Sequence, residues 1–326
     1  MNLPSNLLTI FVLLICSTCA QAQFDTVINL PEAPTNPNPS GFSGNSIGDN
    51  AEIFSNTQLN VSDGGSVGDF LNLSASDPSS SNIEVNISGG TIGEGFESGF
   101  GSTVNILGGI VDGFRVGTGS VANITDGSVE FLDVAGGTVN IFDEGRVRDF
   151  SEANGGTINI TGGRIDNDFG VFSGSTLNIF GGFVGNIGAS NSTINISGGS
   201  LGAASAVSGS TVNISGGTIG SNFAADSGSE INVFGTEFFL SGTPVDNLVL
   251  GETTILELGE DVALSGLLAD GTPFDFGNNS LPNRGIRSGA TLTVTLVGVP
   301  EPGSGLPLVM TSILSLSRRR KIASTL

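Results

Sequence analysis

The chain has 326 residues, a formal net charge of −21 and 51 glycines, and it contains no Trp, Tyr or His. A hydrophobic content of 38% is enough for a folded core, so the abundant Gly and Ser do not make this a disordered chain. So acidic a surface repels nucleic acid and anionic membranes. With both cysteines, Cys16 and Cys19, in a segment read below as removed, no thiol or imidazole is left for Cys- or His-based catalysis or for the usual zinc and copper ligand sets.

Residues 1–22 have the layout of a secretory signal peptide. Leu7 to Ile15 is an apolar run of the right length, and Ala20-Gln21-Ala22 fits the small-x-small cleavage pattern, with Ala20 and Ala22 as the small residues. No Lys or Arg precedes the run, and Ile15-Cys16-Ser17-Thr18 is a poor match to a lipoprotein signal on Cys19. Residues 23–40, with Pro31, Pro34, Pro37 and Pro39, read as a Pro-rich extended leader.

Residues 41–235 carry an internal repeat. Its Asn falls at Asn60, Asn86, Asn105, Asn123, Asn140, Asn159, Asn178, Asn195, Asn213 and Asn232; after a first step of 26 the steps are 19, 18, 17, 19, 19, 17, 18 and 19. A fixed period near 18 residues is the signature of a solenoid. Every one of these Asn residues has an apolar neighbour on each side, mostly Val or Ile, while the next residue out is usually polar. That is a period of two, a strand with one buried face, and β-branched residues suit it. Gly-Gly then follows in most repeats (Gly89-Gly90, Gly162-Gly163, Gly216-Gly217) and supplies a turn. Six residues after most Asn positions comes a second apolar residue, such as Ile92, Val111 or Val184, displaced to Val147 in the Asn140 repeat; a Phe often follows it (Phe96, Phe114, Phe150, Phe169, Phe223).

These features predict an all-β protein, a parallel β-helix of about ten coils. Coils about 4.8 Å apart would make a rod roughly 50 Å long. The step from Asn60 to Asn86 contains Asp77-Pro78-Ser79-Ser80-Ser81, a loop inserted into one coil. Residues 236–297 lose the period and are expected to form a small C-terminal β cap, with longer strands near 247–259 and 290–297 and with Pro244, Pro273 and Pro282 in the turns between.

The repeated Asn points away from the Val/Ile side, together with Thr157, Thr176, Thr193 and Thr211. One reading is a structural ladder of amides, formed by Asn86, Asn105, Asn123, Asn140, Asn159, Asn178, Asn195, Asn213 and Asn232. The other is a hydroxyl-and-amide array that binds glycan or ice, although Phe142, Phe180 and Phe234 interrupt it. Asn-x-Ser/Thr sequons at Asn60, Asn86, Asn123, Asn159, Asn195 and Asn213 follow from the repeat itself.

Residues 298–326 hold the most specific functional signal. Pro300-Glu301-Pro302 precedes an apolar stretch, Leu306 to Leu316, and then Arg318, Arg319, Arg320 and Lys321. This order resembles the PEP-CTERM sorting signal. The resemblance implies a tail held transiently in the inner membrane, processing by a membrane protease of the exosortase type, and delivery to the cell surface or extracellular matrix. The basic cluster after an apolar segment agrees with a cytoplasmic stop.

A β-helix also resembles, as an architecture, the pectate lyases and polysaccharide hydrolases. The best carboxylate cluster for such chemistry is Asp143, Glu144, Arg146, Arg148, Asp149 and Glu152, with Arg164, Asp166 and Asp168 one coil later. Reciprocal pairing of Arg with carboxylate between coils explains it more simply. Gly-Gly-x-Ile-Gly lacks the regular Asp of calcium-binding repeats. The reading is therefore a non-enzymatic, exported, structural or adhesive solenoid with no metal or cofactor, with extracellular polysaccharide as the candidate ligand and no nucleic-acid partner. A polysaccharide lyase or hydrolase, and a glycan- or ice-binding solenoid, are the alternatives.

Overall fold

The computed structural model describes residues 24–32, 44–73, 82–149, 151–256, 263–276, 285–286 and 289–298. The signal peptide with Ala20 and Ala22, residues 33–40 of the Pro-rich leader, the loop at 77–81, Phe150, Pro282, and the sorting motif with Pro300, Glu301, Pro302, Arg318, Arg319 and Arg320 lie outside these residues.

Among the described residues there is no helix, and so none long and apolar enough to cross a membrane. The strands stack in parallel as a β-solenoid of about nine turns with a period near 19 residues. Each regular coil contributes to three ladders. The first holds the Asn repeat, in strands such as Thr138–Ile141, Thr157–Ile160 and Thr176–Ile179, which pair in register so that Thr, apolar residue, Asn and Ile each face their own kind. The second holds the apolar residue after the Gly-Gly turn: Val129 pairs Val147, which pairs Ile165, which pairs Val184. The extra residue before Val147 is taken up in the turn, where Asp143 has a positive φ. The third ladder carries the Phe positions, with Phe96 opposite Phe114 and Phe114 opposite Leu132.

Side chains from the three ladders meet in one continuous core. Leu59, Val85, Val104, Val139, Ile158, Leu177 and Val212 are essentially inaccessible, as are Ile92, Val111, Val129, Phe96, Phe169 and Val171. The Phe96 and Phe114 rings are stacked with centroids 4.6 Å apart. One coil cannot bury its own apolar face; the next coil supplies the partner surface, which is how stacking offsets the ordering entropy. In the Asn140 coil the residue facing Phe169 is Ser151. Its buried hydroxyl accepts from the Leu132 N–H and donates to the Asp149 carbonyl, so the polar group is satisfied inside the column.

The solenoid extends beyond both of its expected ends. Thr26–Leu30, inside the segment read as a Pro-rich leader, is a strand that pairs in register with Thr57–Val61, setting Asn29 on Asn60. The expected cap boundary at 236 falls inside Glu230–Leu240, and Thr291–Leu296 lies parallel on that strand with Thr293 opposite Asn232. The cap therefore contributes one more rung to the first ladder. Thr253–Leu256 then pairs antiparallel with Thr291–Leu296 and ends the parallel stacking. Leu264–Leu268 and Pro273–Phe276 add antiparallel strands beside Glu230–Leu240. Pro244 and Pro273 stand at strand ends instead of in turns, positions where a missing N–H is tolerated. Phe223, Phe274 and Phe276 close the end of the core, the Phe223 and Phe276 rings stacking at 4.8 Å. Asp270 covers the last Gly-Gly turn by accepting from the Gly217 N–H.

The Gly-Gly turns set how closely coils approach. Gly199 has φ +75°, and a Cβ there would lie 2.7 Å from the Gly181 carbonyl carbon of the preceding coil. Gly182 and Gly217 meet the same obstacle. Gly174 has a similar φ of +79° with nothing within 4 Å. The pair separates two costs. Gly174→Ala should lose only the conformational term, about 1 kcal/mol. Gly199→Ala adds a backbone clash and should cost about 2–3 kcal/mol more, read as a lower urea midpoint relative to Gly174→Ala.

Candidate functional site

The outward side of the first ladder is built by strand alternation. In Thr157–Ile160, Ile158 and Ile160 enter the core, which leaves Thr157 and Asn159 outside, both partly buried. In-register stacking turns each outward position into a column along the rod. One column runs Thr138, Thr157, Thr176, Thr193, Thr211. Beside it runs the Asn column. The residue two after each Asn follows, Phe142, Thr161, Phe180, Ser197 and Ser215, its backbone bonded to the coil before: the Phe142 N–H donates to the Ile124 carbonyl and the Phe180 N–H to the Ile160 carbonyl, while at the last step the register shifts and Ser197 pairs Gly216.

All of the Asn positions singled out in the sequence lie in one hydrogen-bonded column. Asn60 Nδ2 donates to Asn29 Oδ1 at 3.0 Å. The same bond, to the Asn one coil earlier, is made by Asn86, Asn105, Asn123, Asn140, Asn159, Asn178, Asn195, Asn213 and Asn232, at 2.7–3.1 Å. Every donor points the same way, and the Thr293 hydroxyl donates to Asn232 Oδ1 at the far end. The sequon Asn residues spend an amide hydrogen on this column, so a sugar on that nitrogen would have to be accommodated against the preceding coil. Sequence reading missed both ends, Asn29 and Thr293. It also passed over a column of buried serines three residues before the Asn: Ser102, Ser120, Ser175, Ser192, Ser210 and Ser229. Four of these hydroxyls, on Ser102, Ser120, Ser175 and Ser229, donate to the carbonyl three residues back and close the turn into the first ladder. Their recurrence at a fixed offset was the available signal.

The carboxylate–Arg cluster lies on the second and third ladders. Arg146 and Arg164 stack in register, and Asp166 bonds the Nε of both. Arg164 also covers the Phe183 ring, 4.7 Å from its centroid. Arg148 pairs with Glu130 at 3.3 Å, and Arg115 bridges Glu97 and Asp133 at 3.5 and 3.1 Å. Asn side chains hold several of the remaining carboxylates: Asn154 donates to Glu152, Asn167 to Asp149 and Asn186 to Asp168. Asp143 instead uses its backbone, its carbonyl accepting the Gly163 N–H in the corner, and the Glu144 N–H donates to the Thr125 carbonyl. A shallow depression of about 410 Å³ lies beside the cluster, lined by Ser151, Glu152, Asp168, Phe169, Phe172 and Asn186 among others. Among the described residues, no group of three or more His, Cys, Asp or Glu side chains is placed to hold a metal ion.

Burial alone would raise the Asp166 carboxyl, but the hydrogen bonds and charges of Arg146 and Arg164 outweigh it and hold the pKa below the ordinary value. A carboxylate lowered in this way adds stability above its unfolded-state pKa and loses it as pH falls through the folded-state value.

Comparison of the chain with family models, with curated proteins and with solved structures finds no match in any of the three.

Two expectations follow from this geometry. Asn178→Ala removes the bonds to Asn159 and from Asn195 and should cost about 1–2 kcal/mol in chemical unfolding. Asp166→Asn should cost less than about 1 kcal/mol at neutral pH, because both Arg partners are half-exposed. The gap between Asp166→Asn and the parent should close as pH is lowered from about 5 to about 2; melting curves across that range check it.

Proposed function

We propose that the protein is exported and acts as a structural, adhesive rod at the cell surface or in the extracellular matrix. The observation that carries this reading is the uninterrupted hydrogen-bonded column from Asn29 to Thr293, which belongs to a rigid elongated body with one repeated face. The acidic composition supports it, since a net charge of −21 favours solubility and keeps rods apart. Delivery is assigned to the terminal sequences. Residues 1–22 serve as the export signal. Pro300-Glu301-Pro302 with the apolar stretch and Arg318-Arg319-Arg320 serves as a PEP-CTERM-like tail, read by an exosortase-type membrane protease. The arrangement of the Arg–carboxylate cluster favours a structural role over turnover, because its arginines are engaged with carboxylates of their own or the neighbouring coils.

Fractionation of the native cell with mass spectrometry of the terminal peptides tests the proposal. The expected protein lacks residues 1–22 and the sequence after about Pro302, and is recovered from the surface or the medium. An intact C-terminus in the membrane fraction would make the tail a plain anchor, and recovery in the cytoplasm alone would reject export.

A further inference from the structure

The first-ladder face between Thr138 and Ser215 differs from the rest of the protein in charge. Its outward positions contain only Thr, Asn, Phe and Ser: no ionisable side chain occurs in them, in a chain of net charge −21. In the Thr column the acids appear only at its borders, Glu84 on one side and Glu230 on the other. The four described arginines all lie on the other two ladders or their connecting corner, each with a carboxylate partner. The neutral face is also pre-organised. Each Asn amide is fixed by its column bonds, so a ligand meeting it orders little. Phe142 and Phe180, both partly exposed, stand two coils apart with Thr161 between them, a separation of about 10 Å.

We infer that this face is a binding site for an extended, neutral polysaccharide lying along the rod. Sugar rings present an apolar C–H face and a rim of hydroxyls. Phe142 and Phe180 offer aromatic surface for the first, at a spacing close to two sugar rings end to end. The Thr hydroxyls and the outward-facing lone pairs and N–H groups of the Asn column meet the second. The face from Thr138 to Thr211 is about 19 Å long, enough for several rings in a row. An anionic glycan is disfavoured twice: the acidic rod repels it, and none of the described arginines lies on this face to pair with its carboxylates. The inference deepens the proposed adhesive role and rests on export only for where the ligand is met.

Co-sedimentation of the purified full chain with microcrystalline cellulose and with chitin, against calcium pectate as an acidic matrix, tests the site. Retention by at least one neutral matrix is expected, and it should persist at high salt because no ion pairs are involved. The double variant Phe142→Ala/Phe180→Ala should weaken retention by at least about tenfold. Thr176→Arg, an outward substitution with unchanged melting, should do the same and guards against a folding defect in the Phe variant. Retention by neither neutral matrix, stronger retention by pectate, or undiminished retention by both variants would overturn the inference. So would sedimentation of the free chain as a dimer that Thr176→Arg dissolves, because the face would then be covered by a second copy. A chain found at the cell surface yet bound by no neutral glycan would reject this site and leave the export reading standing.

Discussion

The structure depends on each coil lying in register on the one before it. A parallel ladder fixes one residue over its counterpart, and a slip of one position would turn every Val and Ile outward. Three features hold the register at different depths. Inside, apolar columns from all three ladders interlock. At the corner, glycines such as Gly182 and Gly199 let backbone touch backbone, so the coil spacing is uniform where a side chain would wedge it open. Outside, the Asn amides bond one coil to the next and leave no freedom for the column to drift.

The same constraint produces the face to which binding is assigned. Regular spacing makes a row of identical side chains into a flat array, and amides bonded within the column are held in one orientation before any ligand arrives. The charged residues play a different part. Arg146 and Arg164 are stacked like charges that would repel; Asp166 sits between them and resolves the conflict locally. Such exposed pairs contribute little stability individually, whereas the core and the corners extend through every regular coil. With the arginines and their carboxylate partners on the second and third ladders, the first ladder is neutral from Thr138 to Ser215.

Much of this was legible in the sequence because the repeat is strict where the backbone is most constrained. The apolar residues flanking each Asn gave strand and facing, and Gly-Gly gave the turn. The ends were hidden by a change of pattern. Asn29 lies 31 residues before Asn60 and is followed by Leu30 and Pro31 instead of a Gly-Gly turn. Thr293 lies 61 residues after Asn232 and is not Asn at all. A rung needs only the strand register and one group that can bond its neighbour, and a Thr hydroxyl serves. In the Asn140 coil Ser151 stands opposite Phe169, and its hydroxyl finds partners there, which the spacing of the Phe residues did not indicate. The arginine pairings depended on which coils face each other, which the period gave; the double engagement of Asp166 depended on side-chain direction, which it did not.

Distances along a single column test the register most directly. Nitroxide labels at Thr138→Cys and Thr211→Cys, with Cys16 and Cys19 replaced by Ser, span four coil steps of the first ladder. In-register stacking predicts a narrow distribution displaced by about 19 Å along the rod. A broad distribution, or a mean differing by a whole coil step of about 5 Å, would contradict the in-register solenoid and with it the flat neutral face.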